Sequence, residues 1–449
     1  MSSYETNRSG LGTGVPPGGL PGSRSASMAT RAWSSVILAA HLALIPGILA
    51  LGASPAPELR ASPGVVSRGS SPSNPAGGGS GIALNVPLAL RTSDGYAVPQ
   101  PGRVFTFPRD HGSHPEFRIE WWYITGHLWD GASNRFGFQS TFFRTAGPPS
   151  ASSETPPALP APGAFGTDQL FLSHFALLDV GSGRFRHQER LNREGWSAGA
   201  AVSNLQVWNG GASLELTQTP DGPHFRLRSH LRAEASWDLK LAPAKPLVVF
   251  GTQGVSRKGA TATAASHYLT FPRLHVEGLL RLDSSSRPVH GIAWMDHEFS
   301  SSQLAPDQAG WDWVAVQLHD GREIMAYRLR RQDGSTDPFS TLAWVDQKGR
   351  VTHQPATDFA LEPLSRWKSP RSGGEYPLGL SLRSRDPATG ESITLQLVPL
   401  AADQELPGAI GDVPYWEGAC RVMDVSGKEV GSAFVELTGY AGDLAGRLR

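Results

Sequence analysis

Short stretches of alternating apolar and polar residues recur along this chain, each bounded by glycine, proline or aspartate. In the first such stretch, Phe117, Ile119, Trp121 and Tyr123 share one face, and the residues between them share the other. Alternation with period two is typical of β-strands, and no long helical period competes with it. The pattern continues in residues 136–142, 169–179, 203–208, 213–217, 224–232 and 236–241. We therefore predict an all-β fold made of barrels or barrel-like sandwiches.

A hairpin pattern occurs twice. Trp121 is followed nine residues later by the turn pair Asp130-Gly131 and then by a return strand. Trp311 is likewise followed nine residues later by Asp320-Gly321 and a return strand. Asp-Gly suits the positive φ angles that a tight hairpin turn requires. The repeat predicts two similar consecutive domains, residues 82–290 and residues 291–449.

Length and charge narrow the class of protein. A chain of 449 residues is long enough for two domains with tails. Lysine plus arginine and aspartate plus glutamate each total 40, so no basic stripe points to nucleic acid as a partner. The single cysteine, Cys420, excludes an internal disulfide and a cysteine-rich zinc site, and we expect it to be packed in a strand.

The first part of the chain has the features of an export leader. Arg31 precedes an apolar run, residues 32–53, that contains His41 and Pro46 and ends in small residues. We interpret residues 1–54 as leader and signal peptide, in preference to a membrane anchor, with Met1 and Met28 as alternative starts. The expected location is the periplasm or the exterior.

Residues 55–81 are rich in proline, glycine and serine and predict a disordered linker, and residues 145–165 predict a surface loop.

Several ordered motifs resemble a known family, the AttH-like proteins related to carotenoid 1,2-hydratase. These motifs are Phe107–Gly126, Phe136–Arg144, Ala293–Ser301, Gly310–Trp313, Tyr415–Gly418 and Val435–Tyr440. The resemblance implies two consecutive lipocalin-like (calycin) barrels and an apolar ligand such as a lipid or isoprenoid. The family contains hydratases, proteins described as predicted secreted hydrolases, and proteins associated with membrane transport systems. The resemblance therefore leaves the activity open.

Carboxylates among aromatic residues suggest acid catalysis on a carbon–carbon double bond. Hydrating an alkene requires a proton donor, which a carboxylic acid in an apolar pocket can be, and aromatic faces that stabilise a carbocation. On a strand, Trp294 and Asp296 share one face, whereas Asp312 faces away from its flanking tryptophans. We predict Asp296 as the acid, with Asp312 as a second catalytic candidate. The predicted ligand-binding residues are Trp121, Tyr123, Trp294, Trp311, Trp313 and Tyr327.

A structural role competes with catalysis for each of these residues. Tryptophans in small barrels usually fill the core, and buried carboxylates usually pair with arginine. The available arginines are Arg109, Arg118, Arg144 and Arg328. An Asp296 that faces apolar space without an arginine favours an enzyme, and an arginine-paired Asp296 favours a carrier.

Other chemistries have weaker support. His111 and His114, three residues apart near Asp110 and Glu116, suggest a metal site, but this spacing places them on opposite faces of a strand, so we predict a structural role. We predict no metal and no cofactor.

Hydrolysis ranks below hydration and binding, because Ser300–Ser302 is linked to His297 and Glu298 only by adjacency. The remaining hypotheses are a hydratase, a non-enzymatic lipid carrier, and an accessory subunit that associates transiently with a membrane or an ABC transporter.

Overall fold

The computed structural model describes residues 86–147, 169–219, 222–302, 304–410 and 413–441. The predicted leader (residues 1–54), the predicted linker (55–81) and most of the predicted loop (145–165) lie outside these residues. Within them the chain is built from strands, with a single-turn 3-10 helix at Arg109–His111. No helix among the described residues has the length and apolar character needed to span a membrane. The all-β prediction is confirmed.

The first sheet contains the strands from the first two-thirds of the described chain. They are β1 (Ile119–Asp130), β2 (Arg135–Thr145), β3 (Leu170–Asp179), β4 (Arg184–Arg193), β5 (Ala198–Ala200), β6 (Gln206–Asn209), β7 (Ala212–Thr219), β8 (Gly222–Leu231), β9 (Ala235–Pro243), β10 (Val248–Phe250), β11 (Ser256–Arg257), β12 (Ala265–Leu282) and β13 (Ser285–Ser302). Their order is β4-β3-β2-β1-β13-β12-β9-β8-β7-β6-β5, and β10 and β11 both pair with β12.

The two ends of this row approach each other, which gives the first sheet the form of a nearly closed barrel. The side chain of Asn209 on β6 helps to join them. Its amide donates to the carbonyl oxygen of Phe171 on β3 and to that of Arg190 on β4, and it accepts from Asn192 at 2.6 Å.

The second sheet contains the remaining strands. They are β14 (Gln308–Leu318), β15 (Glu323–Arg331), β16 (Thr341–Val345), β17 (Val351–Pro355), β18 (Ala360–Lys368), β19 (Glu375–Arg385), β20 (Ser392–Pro399), β21 (Glu405–Leu406), β22 (Tyr415–Met423) and β23 (Glu429–Leu437). Their order is β17-β16-β15-β14-β23-β22-β20-β19-β18, with β21 paired to β22. In both sheets the first strand pairs with the last, β1 with β13 and β14 with β23, so the two sheets share one design.

Both predicted hairpins are present, β1–β2 and β14–β15, but their turns differ. In the second turn Gly321 has φ +83°, as an Asp-Gly turn predicts. In the first turn the positive φ belongs to Ser133, at +62°. There the Asp130 carboxylate accepts hydrogen bonds from the backbone N–H groups of Ala132 and Asn134, which supports a longer loop.

The strand alternation places one face of each sheet in its own core and the other face against the neighbouring sheet. Trp122 and Ile124 of β1 lie in the first core, and Trp344 of β16 lies in the second. Tyr123, between the first two, packs edge-to-face on Trp313 of β14. The sheets therefore meet through the outer faces of their central strands, around a third apolar cluster.

The chain passes from one sheet to the other between Ser302 and Gln308. Strand β13 is paired with β1 and β12 up to its end, so it belongs wholly to the first sheet. The predicted boundary at residues 290–291 lies inside this strand.

Candidate functional site

A cavity lies between the two sheets, and its walls come from their facing strands. Its cavity volume is about 80 Å³, within about 730 Å³ of space between atoms that includes the opening to solvent. The first sheet contributes Trp121, Tyr123, Gln139, Phe143, Tyr268, Asp296 and Glu298, with Lys258 from the segment before β12. The second sheet contributes Trp311, Trp313, Tyr327, Leu329, Tyr415, Glu417 and Glu436, and Leu304 comes from the segment between the sheets. Mostly apolar walls with a few polar groups are typical of small-molecule sites.

Asp296 is a buried carboxyl on the first-sheet wall. It accepts hydrogen bonds from the Tyr268 hydroxyl at 2.7 Å, the Thr270 hydroxyl at 2.6 Å and the Trp294 indole N–H at 2.8 Å. Burial raises its pKa to about 7, although these three hydrogen bonds act in the opposite direction, and the charge of Glu298 raises it further. Within the described chain it forms no ion pair, because the neighbouring cation, Lys258, pairs with Glu298 at 3.2 Å. Asp296 therefore changes protonation state near neutral pH.

The second-sheet wall carries two more carboxyls, the buried Glu417 on β22 and the half-buried Glu436 on β23, which face each other across the strand pair. The Tyr123 hydroxyl donates to Glu417 at 2.5 Å, and the Trp311 indole N–H donates to Glu436 at 3.2 Å. Burial and the charge of Glu436 raise the pKa of Glu417 well above its ordinary value, and Tyr123 only partly opposes this. Burial raises the pKa of Glu436 to about 7, against the indole hydrogen bond. Both shifts favour the protonated form of these acids.

The cation in the cavity is neutralised by its surroundings. Besides pairing with Glu298, the Lys258 ammonium lies 4.0 Å from the ring centre of Tyr327 and 4.8 Å from that of Tyr268. The Trp313 indole N–H donates to the Tyr268 hydroxyl at 2.9 Å, so Tyr268 links the second sheet to Asp296. Burial lowers the pKa of Lys258, but its carboxylate and phenol neighbours outweigh this, so the ammonium is favoured. The cavity carries no large excess of positive charge that would select an anion.

Most residues predicted from the sequence meet in this cavity. Trp121, Tyr123, Trp311, Trp313 and Tyr327 line it, as does Asp296. Trp294 lies behind the wall, where its indole holds Asp296 and its ring packs edge-to-face with that of Trp313 at 6.2 Å.

Asp312, the second predicted catalytic residue, lies outside the cavity. It points to the opposite face of β14, where its carboxylate pairs with Arg328 and Arg330 and accepts from the Tyr440 hydroxyl at 2.8 Å. Since β14 alternates, Trp311 and Trp313 on either side of it must face the cavity while Asp312 faces away. The structure gives Asp312 a structural place outside the cavity.

Sequence reasoning missed Glu417, Glu436 and Lys258. The two glutamates lie within the motifs Tyr415–Gly418 and Val435–Tyr440, which carry the family resemblance. A glutamate within an otherwise apolar strand pattern was the available clue. Lys258 lies in a glycine-rich segment that carries no comparable pattern.

His114, Glu120 and His297 form a buried cluster whose ligand atoms lie close enough together for a metal ion. Glu120 instead accepts from both imidazoles at 2.8 and 2.9 Å and from Arg144 at 2.9 Å. The second nitrogen of His114 is 2.9 Å from Asp110. An arginine already fills the carboxylate side, and these contacts have hydrogen-bond lengths, so the arrangement is that of a polar network in which Nδ1 of His297 alone of the imidazole nitrogens has no partner among the described residues.

Two residues that suggest a nucleophile lack the setting for one. A G-x-S-x-G sequence occurs at Gly195–Gly199, but Ser197 lies exposed in the turn between β4 and β5, not in a strand-to-helix elbow. Cys420 is buried on β22, and burial raises the pKa of its thiol far above its ordinary value. Neither residue lines the cavity.

Two barrel-like sheets with a cavity of acids and aromatic rings between them define a two-domain β-barrel protein with an internal cavity between its domains. The chain belongs to the AttH-like family, whose model matches residues 98–440. A crystal structure of a protein from Nitrosomonas europaea described as an AttH is 34% identical with a TM-score of 0.66, and the match covers 77% of this chain and 99% of that one.

A second solved structure, kievitone hydratase from Nectria haematococca, is 13% identical with a TM-score of 0.55. That match covers 78% of this chain and 96% of the hydratase, and it shows a shared fold. A search of curated proteins finds no sequence match.

Proposed function

We propose that this protein is a hydratase-type enzyme that adds water to, or removes it from, a neutral apolar small molecule bound in the cavity between the sheets. The observation that carries the proposal is the environment of Asp296. Its carboxyl is buried in a cavity wall beside tyrosines and tryptophans, has a pKa of about 7, and forms no ion pair within the described chain. A carboxyl in this state serves equally as proton donor and as acceptor near neutral pH.

The chemistry follows from the groups around Asp296. In the hydration direction its carboxyl proton moves to one carbon of a double bond, and the other carbon becomes electron-deficient. The face of Trp313 stabilises that positive charge without bonding to it, whereas the Tyr327 ring already holds the Lys258 ammonium. A water oxygen then bonds to the cationic carbon, and the water proton returns to a carboxylate. The hydrogen bonds from Tyr268, Thr270 and Trp294 stabilise the Asp296 carboxylate in the interval.

The fold is compatible with this chemistry, since a hydratase has the same architecture. The apolar walls favour a lipid or isoprenoid skeleton over a polar substrate. We further propose that the protein acts outside the cytoplasm, on the strength of the apolar run in residues 32–53. N-terminal sequencing of the protein isolated from its own cells tests export, and an intact leader would exclude cleavage.

The test of the activity begins with native mass spectrometry of the protein from its own cells and organic extraction of bound material. The extracted molecule is incubated with the protein in oxygen-18 water, and labelled hydration product is measured. We expect Asp296→Asn to lower this rate at least about 100-fold, as the loss of a general acid does, while the exposed-carboxyl control Asp238→Asn has no effect. A bound molecule that neither gains nor loses water would identify a carrier instead.

A further inference from the structure

Two buried polar atoms in the cavity walls have no hydrogen-bond partner among the described residues. They are Oε2 of Glu417 and Oε1 of Gln139, and both side chains line the cavity. Leaving a buried polar atom unpaired costs about 1–3 kcal/mol, so native proteins rarely do so without a reason. A polar atom of a ligand is one such reason.

In each side chain the other polar atom is already hydrogen-bonded. The other carboxyl oxygen of Glu417 accepts from the Tyr123 hydroxyl at 2.5 Å. The amide nitrogen of Gln139 donates to the Thr141 hydroxyl at 2.8 Å and contacts the Tyr415 hydroxyl at 3.4 Å, which leaves its carbonyl oxygen unpaired. Gln139 and Glu417 line the same cavity, and the Gln139 amide contacts the hydroxyl of Tyr415, which lies two residues before Glu417 on β22.

The two free atoms differ in chemistry. An amide carbonyl only accepts hydrogen bonds, whereas a protonated carboxyl donates one. Burial and the nearby Glu436 raise the pKa of Glu417 well above its ordinary value, which favours the protonated form. The pair therefore offers one donor and one acceptor. A hydroxyl group matches both, an ether oxygen matches only the donor, and a carboxylate would face three acidic side chains, Asp296, Glu417 and Glu436.

We propose that Gln139 and Glu417 form a hydroxyl subsite, which binds the hydroxyl group of a neutral apolar alcohol by accepting from it at Gln139 and donating to it at Glu417. The subsite rests on the proposed function, in which such an alcohol is the hydrated partner of the alkene. It narrows the substrate class to neutral alcohols and excludes fatty acids as the preferred ligands.

The test compares two isomers, 1-octanol and 1-methoxyheptane, which have the same heavy-atom count but differ in the ability to donate. Binding is followed by quenching of tryptophan fluorescence, because Trp121, Trp311 and Trp313 line the cavity. We expect 1-octanol to bind about 10-fold more tightly, the effect of one hydrogen bond to a buried partner. Gln139→Leu should abolish this preference. Glu417→Leu should weaken 1-octanol binding about 10-fold, whereas Glu417→Gln, which keeps an N–H donor, should retain it.

Equal affinity for the two isomers in the wild-type protein would overturn the subsite, as would a preference that survives in Gln139→Leu. Absence of saturable 1-octanol binding would overturn it as well. The turnover of Asp296→Asn, measured beside this titration, separates this proposal from the proposed function. If Asp296→Asn loses turnover but the wild-type protein binds both isomers equally, only the hydroxyl subsite is refuted. If the wild-type protein prefers 1-octanol and Asp296→Asn keeps full turnover, only the role of Asp296 as the acid is refuted.

Discussion

The hydroxyl oxygen of Tyr123, on the first sheet, lies 2.5 Å from a carboxyl oxygen of Glu417, on the second sheet. The two residues are 294 positions apart in the chain, and both are buried. Tyr123 is also the cross-strand neighbour of Asp296 in the β1–β13 register. This contact therefore joins the acid-bearing walls of the cavity, and the site exists only while the two sheets are docked.

The first prediction concerns this contact. Tyr123→Phe removes the donor to Glu417 and leaves both oxygens of a buried carboxyl without a partner among the described residues. We expect the free energy of unfolding to fall by about 1–3 kcal/mol, measured by urea denaturation. Affinity for a cavity ligand should change as well, because Glu417 is free to reorient.

The matched control is Tyr376→Phe, which removes a 2.9 Å hydrogen bond to the buried Glu405 inside the second sheet. It should lower stability without altering ligand affinity, since neither residue lines the cavity. Equal ligand affinity in Tyr123→Phe and the wild type would show that Tyr123 only stabilises the fold.

The second prediction concerns pH. Folding raises the pKa of Asp296 from 3.8 to about 7, so between these values the folded state binds more protons than the unfolded state. The contribution of this group to the free energy of unfolding is therefore largest at low pH and is lost as pH rises through about 7. Asparagine resembles the neutral acid at every pH. Asp296→Asn should gain about 2–4 kcal/mol relative to the wild type between about pH 4 and pH 8.

Chemical denaturation at a series of pH values measures this difference. Asp238→Asn is the control, because hydrogen bonds from Arg226 lower the pKa of Asp238 and reverse the sign of the pH effect. A difference between Asp296→Asn and the wild type that does not change with pH would mean that Asp296 titrates normally.

The period-two pattern correctly predicted which side chains lie on the same face of a strand. It placed Trp294 with Asp296, Trp121 with Tyr123, and Asp312 opposite its flanking tryptophans, and the structure has all three arrangements. Alternation is a local property of the backbone, so the sequence carries it directly. The same rule does not say which face meets solvent, a core or another sheet. For that reason the sequence predicts Asp312 as catalytic although it lies in an arginine cluster.

The pairing of distant strands lies beyond such patterns. Glu417 and Glu436 reach the cavity because β22 and β23 join β14, and because the second sheet docks on the first. Side-chain packing across sheets sets both relationships, and no local spacing encodes them. The first hairpin shows a similar limit, since Asp130-Gly131 predicted a tight turn but the side chain of Asp130 supports a longer one.

The third prediction separates Asp312 from Asp296. Asp312→Asn leaves Arg328 and Arg330 without their shared counter-charge in a largely buried setting. We expect a loss of about 3 kcal/mol in the free energy of unfolding and no change in ligand affinity or turnover at a temperature where the variant is folded. Loss of turnover with normal stability would return Asp312 to the catalytic residues.

The fourth prediction concerns metal ions. Glu120 already binds Arg144, His114 and His297, and its pKa is held well below the ordinary value by these partners despite its burial. We expect neither EDTA nor added zinc to change the melting temperature measured by calorimetry. Glu120→Gln, by contrast, should destabilise the protein by about 3–5 kcal/mol, because Arg144 loses its buried partner. A zinc-dependent rise in melting temperature that disappears in His297→Ala would identify a metal site instead.

The last prediction concerns the docking of the two sheets. Glu323 of β15 is fully buried and binds two cations from the first-sheet part of the chain, Lys245 at 2.5 Å and Arg273 at 2.6 Å. Glu323→Gln leaves both cations buried without their counter-charge, which costs about 3–5 kcal/mol. The substitution weakens the contact between the two sheets. In urea we therefore expect the single unfolding transition to become two, with ligand binding lost at the first. Glu277→Gln, which breaks an exposed pair with Lys240, should change stability by less than about 1 kcal/mol. A single transition in Glu323→Gln, shifted to lower urea, would mean that the two sheets unfold as one unit even without this contact.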